Sequence, residues 1–168
     1  MNVRLFCGAA VLALLSATGA QPAFASTASD TLGVNATVTS NCTVTAGTLA
    51  FGNVDVTTGA AVDGTGTLSV ICTSGTPWQA AADAGVGTGA TAATRKMANG
   101  TNLLDYALYT DSGRSNIWGD AADSGTAKIS GTGTGTAQSN TIYGTILANQ
   151  AALPAGAYSD TVTVTVTY

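Results

Sequence analysis

The last eight residues constrain the fold of this chain more than any other segment. Residues 161–168 read TVTVTVTY, so that valines and threonines take alternate positions. Successive side chains of a β-strand point to opposite faces, and this period of two therefore predicts a strand with one apolar and one polar face. Because the strand ends at the last residue, we expect one of its edges to lack a partner within the chain.

Six further segments show the same alternation, and no stretch has a convincing helical stripe. They are residues 32–38, 43–51, 67–73, 77–82, 103–110 and 139–148, and the final strand is expected to cover residues 158–168. Asn99-Gly100 predicts a hairpin between residues 95–97 and 103–109. The Gly-Thr repeat at 131–136 predicts a mobile loop. Many short strands separated by turns predict an all-β sandwich or barrel.

The first 25 residues have the features of an export signal. Arg4 precedes the apolar run at 5–15, and Ala-Phe-Ala at 23–25 fits a cleavage site. The apolar run is too short for a bilayer, which takes about 20 residues. We therefore predict that residues 1–25 are a cleaved signal peptide and that the mature chain is exported without membrane insertion.

Cleavage would leave one pair of cysteines. Cys7 lies within the signal, whereas Cys42 and Cys72 belong to the mature chain. The compartment beyond the inner membrane is oxidising, so the pair is expected to form a disulfide. In the chain-entropy model a loop of this size stabilises the fold by about 3–4 kcal/mol. A bridge between two early strands favours the sandwich over the barrel.

The charged residues exclude several classes of function. All nine acidic residues are Asp, the chain has no histidine, and the four mature cations are Arg95, Lys96, Arg114 and Lys128. This negative balance disfavours nucleic acid and anionic membranes as partners. Without histidine or glutamate the usual general bases are missing. We therefore predict no enzyme, no catalytic residue and no cofactor.

Two pairs of residues carry weaker signals. Asp120 and Asp123 could act as paired carboxylates or calcium ligands, but their sequence is equally typical of a polar turn, and no metal site is predicted. Arg95 and Lys96 could contact a surface anion, and a solvated hairpin end is the default expectation.

The free edge of the last strand needs a cover, because an exposed apolar edge promotes aggregation. The other strong alternating segment near a terminus places Leu32, Val34, Ala36 and Val38 on one face. Either this segment covers the edge of its own chain, or it covers the edge of another copy by β-strand addition. The alternation alone does not choose between the two arrangements.

Short motifs along the mature chain occur in an order that resembles one known family. They are CTV at 42–44, LAFG at 49–52, GTLSVICT at 66–73, RKM at 95–97, LDYALYTD at 104–111, WG at 118–119, IYGTI at 142–146, Gln150, GAYSDTV at 156–162 and VTVTY at 164–168. This ordered set resembles a spore coat protein U domain and is similar to pilins of the archaic chaperone–usher pathway, the Csu-type pili.

The resemblance implies an incomplete immunoglobulin-like β-sandwich that is completed by a donor strand from a neighbouring subunit. Residues 26–40 would carry the donor strand and residues 41–168 the pilin domain. The implied partners are identical or related pilin subunits, a periplasmic chaperone and an outer-membrane usher. The chain would pass through the periplasm to a surface pilus, and its single domain fits a shaft subunit.

The resemblance also assigns residues to roles. The donor strand would present four plugs, Leu32, Val34, Ala36 and Val38. The acceptor groove would be bordered by Val162, Val164, Val166 and Tyr168, and Cys42 and Cys72 would form the disulfide of the family. Ala36 is smaller than the side chain that a donor strand would be expected to carry at such a position.

The predicted function is that of a structural pilus subunit that supports attachment and biofilm formation. A non-fibrous exported coat protein is one alternative. A carbohydrate-binding adhesive module is another, with Trp78, Trp118, Tyr106 and Tyr109 as a stacking platform. Because these aromatic residues lie in or beside alternating strands, we expect them to pack in the core or sheets instead.

Overall fold

A computed structural model of the chain describes residues 24–120 and 126–168. The chain divides into two units, Met1–Ala36 and Thr37–Tyr168, and the described part of the first has neither helix nor strand. Residues 1–23 of the predicted signal peptide lie outside the described residues. The strands of the second unit are β1 Cys42–Ala46, β2 Val62–Cys72, β3 Pro77–Ala82, β4 Arg95–Asn99, β5 Asn102–Tyr109, β6 Ile129–Thr132, β7 Gln138–Ile146 and β8 Val164–Thr167.

These strands form two antiparallel sheets, and the predicted all-β sandwich is confirmed. One sheet has the order β1-β2-β7-β5-β4, and the other has the order β6-β3-β8. The hydroxyl of Tyr158 donates to the carbonyl of Pro154 at 2.9 Å, close before β8. This bond to backbone four residues upstream braces the turn that precedes β8.

The apolar faces of the strands meet between the sheets. The fully buried side chains include Leu68, Val70, Cys72, Trp78, Ala80, Ala82, Leu104, Tyr106, Leu108, Trp118, Ile142 and Ile146. Apart from Trp118, which lies between β5 and β6, they take alternate inward-facing positions of their strands, as the alternation requires. Trp78, Trp118 and Tyr106 are therefore core residues as predicted, and Tyr109 is half-buried at the end of β5.

The hairpin predicted from Asn99-Gly100 is confirmed. Asn99 lies opposite Asn102, and Gly100 has a φ of 60°. The two turn residues are therefore Gly100 and Thr101, and glycine is favoured at the first of them because it adopts a positive φ without strain.

The disulfide joins neighbouring strands of one sheet. Cys42 and Cys72 lie directly opposite each other in β1 and β2, and their sulfur atoms are bonded at 2.01 Å. The pair therefore fixes β1 to β2, so that the first strand of the domain stays attached at the edge of the larger sheet.

Several predicted element boundaries are wrong, among them the start of β2, which begins at Val62 and not at residue 67. β1 ends at Ala46, although the alternation extends to residue 51, because the chain leaves the sheet after Gly47 and crosses the inner face of β2. β8 begins only at Val164, because the backbone before it bonds to other segments. Residues 131 and 132 belong to β6 instead of a loop: a Cβ on Gly131 would lie 2.6 Å from the indole of Trp78, so glycine is required there.

Candidate functional site

The edge strands of the two sheets are covered to different degrees. The outer edge of β4 is covered by Ser159: the Ala98 N–H donates to the Ser159 carbonyl at 2.8 Å, and the Ser159 N–H donates back at 3.2 Å. β1 and β8 each have a single strand neighbour in the part of the chain that the structure describes. We call the region between their free edges, bounded by residues 42–46 and 162–168, the open margin.

β1 and β8 are close together at one end of the open margin. The hydroxyl of Tyr168, after the end of β8, donates to the side-chain oxygen of Asn41, before the start of β1, at 3.2 Å. The two strands therefore run in opposite directions along the margin. We call the end at Asn41 and Tyr168 the exit end, because the N-terminal segment leaves the domain there. The end near Ala46 and Val162 is the far end.

Apolar side chains along the open margin are incompletely covered. The residues of the predicted acceptor edge, Val162, Val164, Val166 and Tyr168, all lie here, with the valines half-buried and the tyrosine 55% exposed. Val44 of β1 is 37% exposed, whereas its cross-strand partner Val70 is fully buried. Val166 is likewise less buried than its partner Ala80. Paired residues on neighbouring strands point to the same face of the sheet. The greater exposure of Val44 and Val166 therefore comes from missing cover on the side of the open margin.

The segment that leads into β8 is held in place by two aspartates. The Asp160 carboxylate accepts hydrogen bonds from the hydroxyl of Tyr106 at 2.7 Å and from the backbone N–H of Val86 at 2.9 Å. The Asp83 carboxylate accepts from the backbone N–H of Thr163 at 2.9 Å, and the Asp83 N–H donates to the Thr163 carbonyl at 3.0 Å. These bonds fix the direction in which β8 enters the smaller sheet.

The pKa values of two groups in this network reflect their surroundings. Burial raises the pKa of Tyr106 above its ordinary value, and the hydrogen bond to Asp160 adds to this effect. Burial also raises the pKa of Asp83, but the N–H groups of Thr163 and Gly85 outweigh it, so that the net pKa is below its ordinary value. Tyr106 therefore stays a hydrogen-bond donor, and Asp83 stays an ionised acceptor, near neutral pH.

Arg95 is a buried structural residue, and the expectation of a solvated hairpin end is wrong for it. Its side chain is 0% exposed, and its guanidinium donates to the carbonyls of Ala82, Asp83, Ala92 and Trp118 at distances of 2.7–3.3 Å. These carbonyls lie at the end of β3 and in two loops, so one side chain joins both sheets. The planar guanidinium suits this task because its five N–H donors point in fixed directions.

The predicted donor residues are exposed. Leu32, Val34 and Val38 are 88%, 84% and 84% exposed, Ala36 is also exposed, and residues 24–41 contain no strand. Their role as plugs stays a prediction, as does the role of the acceptor edge.

The point at which the N-terminal segment joins the domain is fixed by Thr73. The Thr73 hydroxyl donates to the carbonyl of Thr39 at 3.3 Å and accepts from the N–H of Asn41 at 3.1 Å. The N–H of Thr73 donates to the carbonyl of Asn41 at 2.9 Å. Residues 39–41 thus continue the line of β1 alongside β2.

Leu49 and Phe51, which the sequence places within a strand, instead extend the apolar surface beyond β1. Both are half-buried and pack on the inner face of the larger sheet. A Cβ on Gly66 would lie 3.0 Å from Leu49, one on Gly64 would lie 3.0 Å from Phe51, and one on Gly144 would lie 2.9 Å from both. These glycines in adjacent strands make room for the two side chains, and they are the sequence signal for this contact.

Neither metal chemistry nor a membrane span is visible in the described ranges. Among residues 24–120 and 126–168, no group of three or more His, Cys, Asp or Glu side chains could hold an ion. Asp123 of the candidate acidic pair lies outside the described residues. Over the same ranges, no helix has the length and apolar character needed to cross a bilayer.

Comparison with known proteins gives three similarities. Residues 28–165 match the family described as the Spore Coat Protein U domain. The chain is 36% identical over 183 residues to Protein U of Myxococcus xanthus, and the match spans the full length of both.

The third similarity is to a crystal structure of the CsuC–CsuE chaperone–tip adhesion subunit pre-assembly complex, from archaic chaperone–usher Csu pili of Acinetobacter baumannii. The TM-score is 0.55 and the identity 21%, over 79% of this chain and 41% of the chain in that structure. This chain therefore spans about two fifths of the length of its structural relative. At this identity the likeness concerns the fold.

Proposed function

The chain belongs to the spore coat protein U domain family, and from the open margin of its sandwich we propose that it is a structural subunit of a surface pilus. Each subunit would be completed by the N-terminal strand of a neighbour. The observation that carries this proposal is the contrast between the half-buried valines of β8 and their fully buried partners in β3. A strand added beside β8 would cover the valines and pair with the free edge.

The exit geometry favours donation between chains over self-completion. Thr73 holds Thr39 and Asn41 in line with β2 through hydrogen bonds from its backbone and side chain. A segment that entered the open margin of its own domain would have to reverse direction at these residues and break the bonds. Donation to another copy leaves them in place.

The expected gain from complementation is large enough for a durable fibre. Leu32, Val34 and Val38 are at least 84% exposed in the free segment. Burying each apolar side chain contributes about 1.5–3 kcal/mol, or on the order of 5–9 kcal/mol for the three. Each ladder hydrogen bond adds about 1 kcal/mol net. Release requires the whole strand to detach, so much of the durability would be kinetic.

The partners and location follow from the same arrangement. An uncomplemented subunit would expose its apolar margin in the periplasm, and a chaperone that fills the margin would prevent aggregation. The structural relative, solved as a complex of a chaperone and a pilus subunit, supports this role for a chaperone. An outer-membrane usher would then exchange the chaperone for the donor segment at 26–40, after removal of the signal at 1–25. The assembled pilus would support attachment and biofilm formation without enzymatic activity.

A second candidate function is a non-fibrous coat layer. The observation in its favour is the description of the matching family, which names a spore coat protein. Strand donation would link copies in either assembly. Electron microscopy of the surface of a producing cell distinguishes them, because a pilus subunit gives thin fibres and a coat protein gives an amorphous shell.

Removal of residues 27–38 tests the mechanism. We expect the shortened subunit to be recovered in complex with its chaperone but not in polymers, because the open margin is intact and the donor is missing. A finer variant changes Leu32, Val34 and Val38 together to serine, with Asn35→Ser and Thr37→Ser on the opposite face as the matched control. Normal polymers from the deletion variant, measured as ladders on mild-detergent gels, would refute donor-strand assembly.

A further inference from the structure

The two ends of the open margin have different surroundings, and this difference bears on the direction of the donor strand. The inference below rests on the proposed function. The N-terminal segment leaves its own domain at the exit end, beside Tyr168. If a donor ran parallel to β8, its own domain would lie at the exit end of the acceptor. The two exit ends would then face each other in a closed, two-fold dimer.

An open fibre requires the other direction. A donor antiparallel to β8 brings its own domain to the far end of the acceptor, so that each contact joins an exit end to a far end. Such head-to-tail contacts continue indefinitely when the rotation does not close a ring. In this direction the first plug, Leu32, lies toward Tyr168, and the later plugs, Ala36 and Val38, lie toward Val162.

The far end is already partly filled by the acceptor itself. β1 pairs with β2 only as far as Ala46, opposite Leu68, and the wall beyond it is built by Leu49 and Phe51. Leu49 contacts the position of Gly66, two residues along β2 from Leu68 and on the same inner face. Phe51 is also held from the side by Tyr106, whose ring centre lies 6.3 Å away in an edge-to-face arrangement.

We propose that Leu49 of the acceptor determines the size of the donor side chain accepted at the far end, and that Ala36 is small for this reason. Leu49 and Phe51 sit as deep as the glycines allow, because a Cβ at Gly144 would already be 2.9 Å from each of them. They therefore have little room to retreat, and a large plug would overlap with them. Alanine is the smallest of the four plugs, and in this direction it is the third to enter, beside Leu49, whereas Val38 follows it beyond Leu49, next to the donor's own domain.

The size match is tested by exchanging volume between the two positions. Ala36→Leu should reduce the yield of polymers about tenfold, because overpacking a filled apolar site is destabilising. Adding Leu49→Ala to the same chain should restore most of the yield, whereas Leu49→Ala alone should change it much less than Ala36→Leu does. Thr37→Leu is the matched control, since it enlarges the opposite face of the donor and should leave assembly unchanged.

The outcomes separate this inference from the proposed function. If Leu49→Ala prevents folding, Leu49→Val is used in its place, both alone and together with Ala36→Leu. A partial rescue is then expected. The size match is overturned if Ala36→Leu leaves the yield of polymers unchanged, or if neither Leu49 variant restores a yield that Ala36→Leu has lowered. Either outcome leaves donor-strand assembly itself intact. Rescue of Val34→Phe by Leu49→Ala would overturn the assigned direction. Failure of the proposed function itself would instead appear as normal polymers from the chain that lacks residues 27–38.

Discussion

The two sides of the sandwich differ in how completely they are closed. At the β4 side, Ser159 pairs with the edge strand, and Arg95 joins both sheets through backbone carbonyls. At the open margin, Val44 and Val164 are only half covered, and β8 has one strand neighbour among the described residues. The open margin is therefore a localised feature of one side of the sandwich, where apolar side chains stay partly exposed.

The largest effect is expected at the closed side. Arg95→Met should lower the free energy of unfolding by more than about 3 kcal/mol, because buried carbonyls that lose their donors cost about 1–3 kcal/mol each. The adjacent Lys96→Met is the control: it removes a partly exposed ion pair with Asp105 at 2.7 Å, which is worth about 0–1 kcal/mol. Chemical denaturation of subunits complemented by a donor strand measures both. Equal effects of the two changes would mean that the closed side does not depend on Arg95.

The next largest effect is expected from the disulfide, which attaches one wall of the open margin. Reduction of Cys42–Cys72, which are separated by 30 positions, should destabilise the domain by about 3–4 kcal/mol and lower subunit yield. If reduction releases β1 from β2, the open margin also loses the wall that faces β8. Thermal melting with and without reductant gives the comparison, and an unchanged melting temperature would contradict the role of the bridge.

A matched pair of core and margin substitutions compares the two regions directly. Val70→Thr places a hydroxyl in a fully buried site and should cost about 1–3 kcal/mol in the subunit on its own. Val164→Thr should cost less there, because Val164 is half-buried, and its full cost should emerge only in polymers. Melting of subunits and of polymers measures the two states. Equal costs of Val164→Thr in both states would indicate that nothing covers β8 upon assembly.

The smallest effect is expected from acid. The folded-state pKa of Asp83 is below its ordinary value, so its bonds to Thr163 and Gly85 stabilise the fold above the unfolded pKa. This contribution is lost as the pH falls through the folded pKa, below about pH 4. Asp83→Asn should therefore flatten the dependence of stability on pH in this range. An unchanged acid profile in that variant would assign the loss to other carboxylates.

Local patterns in the sequence were sufficient for much of the fold. Alternation identified most of the strands and their inner faces, and Asn99-Gly100 identified the β4–β5 hairpin, whereas β6 was predicted as a loop and the alternating segment at 32–38 is not a strand in the structure. The identification succeeded because these signals depend on a few neighbouring residues and on the two-residue period of a strand. The pattern also identified the valines of β8 as one apolar face, which the structure places along the open margin.

The same patterns failed where distant residues decide the outcome. Arg95 has the sequence of an exposed hairpin end, yet it is buried because carbonyls from residues up to 23 positions away converge on it. Gly131 has the sequence of a loop, yet it lies in β6 beneath the indole of Trp78. Neither contact leaves a periodic trace in the sequence near the residue.

By itself, then, the sequence determined a disulfide-bonded β-domain with an alternating N-terminal segment and an apolar last strand. Only the tertiary structure decided which edges are closed, where the N-terminal segment leaves the domain, and how Leu49 fills the far end of the margin. The physical reason is that the period of a strand fixes which face a side chain takes. Whether that face is covered depends on segments that folding brings together from far along the chain.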